Sequence, residues 1–217
     1  TQKEKQHYPA LTDPFDFAEL LFNIDNYESQ VPYLKYAVQL APLVFVRIGE
    51  LRNAKWSDID FENAVWSYTP PKTASKTGLD HIVPLSKQAV AILEEVYKFT
   101  NNSEFVFPSR SDKHRPISDM SINMALRRMG YSKGDMTGHG FRAIARTLLD
   151  EVLEFPLNII EQQLAHQVRD MHGRAYNRTK HLDKRRVMMQ RWSDYCDELK
   201  SQLISSKQLR FEQKKPS

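Results

Sequence analysis

Ala64-Val65-Trp66-Ser67-Tyr68 and His81-Ile82-Val83-Pro84-Leu85 are the stretches of this chain that read as β-structure. Both are short and rich in β-branched and aromatic residues, and they flank a polar segment from Pro70 to Asp80. They predict a β-hairpin or small antiparallel sheet with a long basic loop. Everything around them carries the helical period. Upstream, Thr12-Asp13-Pro14 is a helix-start signal, and Phe17, Leu20, Leu21 and Ile24 follow at helical spacing. A second helix is predicted from Pro32 to Val44 and a third over 49–56. Downstream, Ala89, Ile92, Leu93, Val96 and Tyr97 mark an amphipathic helix. Further helices are predicted near 118–129, 140–153, 156–165 and 182–199, the last with Met188, Trp192, Tyr195 and Leu199 on one face. The expected fold class is therefore mainly α with a small antiparallel β-sheet (α+β). No linker-like stretch follows residue 12, so residues 13–217 read as one domain and 1–12 as a linker leading into it.

Composition excludes several classes. With 217 residues, 41% hydrophobic and 11% aromatic, the chain is long and apolar enough for a packed core. Its one cysteine, Cys196, permits no internal disulfide. The mean hydropathy is -0.58, and the densest apolar run, Leu40 to Val46, is far too short to span a bilayer. The opening residues are polar and do not read as a signal peptide, and the chain starts without Met, as a fragment would. Charge is uneven. The net +4 divides into +7 from Arg169 onward and -3 before it. A basic tail on a near-neutral body fits a polyanionic partner, although a solvated helix face is the simpler account of the charge alone.

Four clusters carry chemistry. Arg47 lies inside Leu40-Ala41-Pro42-Leu43-Val44-Phe45-Val46-Arg47-Ile48, where a guanidinium needs a partner because an unpaired buried charge is costly. Glu50, three residues on, can hold it, and the pair is either structural or a planar fork aimed at a phosphate. In Thr137-Gly138-His139-Gly140-Phe141-Arg142, His139 and Arg142 share one face at a helix start. They could grip a phosphate and move a proton, or be a capping histidine and a surface arginine. Gln163-Leu164-Ala165-His166 precedes Gly173-Arg174-Ala175-Tyr176-Asn177-Arg178, where a tyrosine nucleophile would need neighbouring cations. Lys72-Thr73-Ala74-Ser75-Lys76-Thr77-Gly78 sits in the hairpin loop, solvated or able to donate a proton in a groove. There is no His-Glu-x-x-His, no Walker A, no Gly-rich dinucleotide loop and no Gly-x-Ser-x-Gly elbow. No metal site and no cofactor are expected, so phosphate chemistry here would rest on arginines and a side-chain nucleophile.

Together the clusters resemble the tyrosine recombinase (phage integrase) family, whose order is Arg, Lys, His-x-x-Arg, His or Trp, then Tyr. In this chain the order is Arg47, Lys76, His139-Gly140-Phe141-Arg142, His166 and Tyr176. The segments between also match. Phe45 to Arg52 with Trp56-Ser57-Asp58-Ile59-Asp60 resembles the first arginine segment. His81-Ile82-Val83-Pro84-Leu85-Ser86, Met136 to Arg142 and Ala175-Tyr176-Asn177-Arg178-Thr179 resemble prophage and genomic-island integrases found beside tRNA genes. The resemblance covers roughly residues 8–200. Where similar proteins tend to have Arg-Met-Lys, this chain has Lys72-Thr-Ala-Ser-Lys76. Lys76 is carried over for its distance before His81, and Lys72 stays open.

The resemblance implies an integrase catalytic domain over 13–217, with residues 1–12 a linker from an N-terminal DNA-binding domain. It implies transesterification of a DNA phosphodiester: Tyr176 attacks phosphorus, leaving a 3′-phosphotyrosyl link and a free 5′-hydroxyl. Arg47 and Arg142 would bind the non-bridging oxygens and Lys76 would protonate the leaving oxygen. His139 would assist the tyrosine proton, and His166 would hydrogen-bond the phosphate. Expected partners are double-stranded attachment-site DNA, further copies of the chain in a tetramer on DNA (a monomer without it), an excisionase and a host DNA-bending protein. The expected location is the bacterial cytoplasm at the nucleoid, with no membrane association. A type IB topoisomerase-like strand transferase and a non-catalytic DNA-binding module are the alternatives.

Overall fold

The apolar run Leu40–Val46 ends the helix on which the fold is assembled. In the computed structural model, which describes residues 9–70, 80–165 and 181–212, helix α2 (Pro32–Val44) buries Leu34, Ala37, Val38, Leu40, Ala41, Leu43 and Val44. A helix apolar on nearly every side must be covered on nearly every side. Five others reach it besides its predecessor α1 (Pro14–Asp25): α3 (Ile48–Arg52), α4 (Lys87–Thr100), α5 (Ser121–Arg128), α6 (Gly140–Glu151) and the C-terminal helix α8 (Leu182–Glu212). A short α7 (Leu157–Gln163) packs on α6 and α8.

Helix α1 starts where the sequence predicts. Asp13 Oδ1 accepts from the amides of Phe15 (2.8 Å) and Asp16 (3.2 Å), and Pro14 occupies the first turn, where its missing N–H costs nothing. Phe17, Leu20, Leu21 and Ile24 are all buried. Within the stretch read as a linker, Ala10 and Leu11 pack against the core. The sheet has the order β1 (Ile59–Asp60), β2 (Val65–Tyr68), β3 (His81–Pro84), all antiparallel, with Trp66 opposite Val83 and Tyr68 opposite His81. The fold class is thus as expected, mainly α with one small antiparallel sheet.

Three expectations need correction. The third helix stops at Arg52, and a separate 3-10 turn covers Trp56–Asp58. The Asn53 side chain donates to the Gly49 carbonyl (2.6 Å), ending the helix. Trp56 then turns outward to stack on Phe61 and meet Tyr97 edge-on. That aromatic cluster is why Tyr97, expected on the buried face of α4, lies half outside. The third strand, β1, is two residues long and too brief for a period to show. The last helix continues from 199 to 212, and Leu203 extends the buried stripe of Met188, Trp192, Tyr195 and Leu199. Trp192 closes the core: it stacks on Phe17, meets Phe45 edge-on and donates its indole N–H to the Pro42 carbonyl (2.9 Å). Lys200 ties α8 to α1 through Asp25 (2.8 Å). Among the described residues no helix is long and apolar enough to cross a membrane.

Candidate active site

Arg47 follows the core helix because the chain reverses there. Phe45 caps α2 in the left-handed region (φ 35°, ψ 38°), an unusual conformation for an aromatic residue, and its buried ring is held against Trp192. The turn delivers Arg47 to the N-cap of α3 with its side chain 31% exposed, so the guanidinium leaves the apolar segment rather than lying within it. The expected partner is present. Glu50 Oε1 accepts from Arg47 Nη1 (2.9 Å), and Oε2 accepts from the Arg47 backbone amide (3.1 Å). The Glu50 side chain is only 6% exposed, so this is a nearly buried carboxylate with an outward-reaching arginine.

Arg142 is brought to the same place from the first turn of α6. Its Nη1 donates to the Phe45 carbonyl (3.0 Å) and its Nη2 to the Leu164 carbonyl (2.7 Å). These are the C-terminal ends of α2 and α7, where unpaired carbonyls and the helix dipole favour a cation. Burial, and then the neighbouring Arg47 charge, push the Arg142 guanidinium down to about 10, so it remains charged at neutral pH while crowded by a like charge. Residues 95 positions apart in sequence therefore form one cationic locus, with the Glu50 and Glu161 carboxylates acting on it. An oxyanion would relieve that crowding.

His139 occupies the N-cap position of α6, three residues before Arg142, and is exposed. Its side chain makes no capping hydrogen bond, so the capping alternative does not hold. Gly138 explains how the His139 turn comes close to Arg47's helix: a Cβ there would lie 2.6 Å from Cγ1 of Ile48, the residue after Arg47. Lys76 and Lys72, His166 and Tyr176 lie outside the described residues, as does much of the basic stretch after Arg169.

The sequence reading missed three residues at the site. Tyr68 on β2 donates its hydroxyl to Glu50 Oε2 (2.7 Å), and burial raises its phenol well above the usual range. Gln163, fully buried at the end of α7, accepts on Oε1 from Arg185 Nε (3.0 Å) and Nη2 (2.7 Å), while its carbonyl meets His81 Nε2 (3.1 Å). Arg185 is fully buried and also donates to the Ile82 carbonyl. It lies within the basic Lys184-Arg185-Arg186, yet it falls on the buried stripe of Met188, Met189, Trp192 and Cys196, and that spacing is the signal in the sequence. Among the described residues, no group of three His, Cys, Asp or Glu side chains could hold a metal ion.

Known proteins resemble this chain in sequence and in fold. IntB of Escherichia coli (strain K12) is 38% identical over 213 residues, covering 93% of this chain and 53% of that protein. The integrase of Enterobacteria phage P4 is 38% identical over 213 residues, covering 92% of this chain and 48% of its own length. This chain therefore spans about half the length of these relatives. Among solved structures, lambda integrase residues 75–356, a dimer bound to a core site, aligns with a TM-score of 0.56 at 24% identity, covering 81% of this chain and 64% of that one. The integrase of mycobacterium phage Brujita aligns with a TM-score of 0.59 at 16% identity, covering 88% and 60%. These show the same fold. The profile of the phage integrase family matches residues 13–185, which takes in both arginines, the sheet, and the segment from His166 to Tyr176. On the family profile and these relatives, the chain belongs to the phage integrase family.

Proposed function

We propose that residues 13–217 are the catalytic domain of a site-specific DNA recombinase, led into by residues 1–12, which cleaves and rejoins DNA strands through a 3′-phosphotyrosyl intermediate. The observation that carries this reading is the meeting of Arg47 and Arg142 at one locus, each held from behind by Glu50 or by backbone carbonyls. Such contacts fix the plane of each guanidinium. Two such groups suit the non-bridging oxygens of a phosphodiester, whose charge grows in the transition state. His139, exposed three residues before Arg142, is suited to move a proton at that locus. Tyr176 would attack phosphorus, Lys76 would protonate the departing 5′-oxygen and His166 would hydrogen-bond the phosphate. The tyrosyl ester conserves the bond energy, so the 5′-hydroxyl of a second strand can reverse the step without metal or nucleotide. In its biological setting the substrate would be attachment-site DNA and the outcome integration or excision of a prophage or genomic island. The active assembly would be a tetramer on DNA, joined by an excisionase and a host DNA-bending protein, in the bacterial cytoplasm. The DNA-bound dimer and Holliday-junction tetramer of lambda integrase support that assembly by analogy of fold.

The test is incubation with a nicked suicide duplex carrying the attachment core, followed by a denaturing gel. A covalent adduct in EDTA that disappears in Tyr176→Phe while DNA binding persists is the expected result. Binding without any adduct would instead identify a non-catalytic DNA-binding module, and cleavage abolished by EDTA a metal-dependent nuclease.

A further inference from the structure

The Glu50 carboxylate is held on two sides. Two of its contacts come from Arg47 itself, the Nη1 to Oε1 bond and the backbone amide to Oε2 bond. Both belong to the same turn at the start of α3, and neither stops carboxylate and guanidinium from pivoting together. The third comes from a different element: the Tyr68 hydroxyl on β2, 2.7 Å from Oε2. The Tyr68 ring is itself fixed, tilted against Trp66 at 4.7 Å and edge-on to His81 at 5.6 Å, its partner across the sheet. The direction of the hydroxyl is therefore set by the sheet.

We infer that Tyr68 is a positioning residue for strand cleavage: its hydroxyl fixes the plane of the Glu50 carboxylate and, through it, the direction in which Arg47 presents its outer edge to a phosphate. This rests on the recombinase reading above. Tyr68 touches no reacting atom in this role. It ties the arginine turn to β2 of the sheet. Groups that orient a functional side chain in this way typically change activity by roughly ten- to a hundredfold when removed.

The test is Tyr68→Phe in the full chain, which keeps the ring and its packing. Cleavage is followed on suicide duplexes with either an ordinary phosphodiester or a methylphosphonate at the scissile position. The methylphosphonate lacks one non-bridging oxygen and its charge, so it asks less of a precisely directed guanidinium. The expected result is a loss of roughly tenfold or more on the phosphodiester, a distinctly smaller loss on the methylphosphonate, and unchanged DNA affinity. Glu50→Gln should show the same selectivity, and the double variant should lose no more than the worse single one, as for residues acting through one group. Equal losses on the two substrates, or none, would overturn the role of Tyr68 while leaving the recombinase reading intact. A wild-type chain that forms no adduct with either substrate would overturn both.

Discussion

Replacing Arg142 with lysine tests both halves of the candidate site at once. The guanidinium clips the ends of α2 and α7 together through the Phe45 and Leu164 carbonyls, at 3.0 and 2.7 Å. A lysine keeps the charge but is a point donor on a flexible stem and cannot reach both oxygens in the same geometry. One charged hydrogen bond is lost and a carbonyl is left short of a partner, a cost of about 2 kcal/mol. For a chain of this size that corresponds to a Tm lower by about 4–8 °C. Loss of the planar fork toward the phosphate should slow adduct formation by roughly 10²-fold, the scale of one missing oxyanion donor. The assays are calorimetric unfolding and a time course of covalent adduct on suicide DNA. Arg146→Lys is the control: its ion pair with Glu161 is at the surface, the arginine 44% exposed, and should be worth under about 1 kcal/mol. An unchanged Tm would refute the clip. A lowered Tm with wild-type adduct kinetics would refute the phosphate contact and leave Arg142 a structural arginine.

Arg47→Lys should cost less stability than Arg142→Lys, because its side chain is 31% exposed, yet cleavage should still fall by roughly 10²-fold; near-normal cleavage with a lower Tm would make the Arg47–Glu50 pair purely structural. Lys76→Ala should slow cleavage far more than Lys72→Ala, and a 5′-bridging sulfur in the substrate should rescue it, since a thiolate leaves without a general acid; rescue confined to Lys72→Ala would move the assignment to that residue. Binding of short duplexes by this chain should be weakly sequence-dependent and fall steeply with salt, as expected for phosphate contacts from Arg47, Arg142 and the basic stretch after Arg169. A filter-binding titration at two salt concentrations checks this, and tight, salt-insensitive discrimination would contradict it.

What the residues announced in advance were features with a period or a local cost. The buried faces of α1 and α8 follow from spacing, and Arg47 stood out because a guanidinium in an apolar run demands a partner, which Glu50 supplies. What stayed hidden depends on the third dimension. Arg47 does not lie in the helix interior because Phe45 adopts a left-handed turn that nothing in the composition of Leu43-Val44-Phe45 requires. Tyr68 read as an ordinary strand aromatic, since its role depends on which loop end faces β2. The two carbonyls that hold Arg142 are invisible to any reading of side chains. Met136-Thr137-Gly138 is a middle case: the glycine was visible, but its reason, the side chain of Ile48 lying against it, was not.

The contact between Gln163 and Arg185 has a consequence for the chain between them. These residues are 22 positions apart, and their side chains meet in a fully buried hydrogen-bonded junction at 2.7 and 3.0 Å. The domain thus fastens both flanks of the stretch bearing His166 and Tyr176 with its own core. Cutting the Gln163 side chain back to alanine would leave the buried Arg185 guanidinium short of both bonds, and an unsatisfied buried charge is costly, so a single substitution there would loosen both flanks at once.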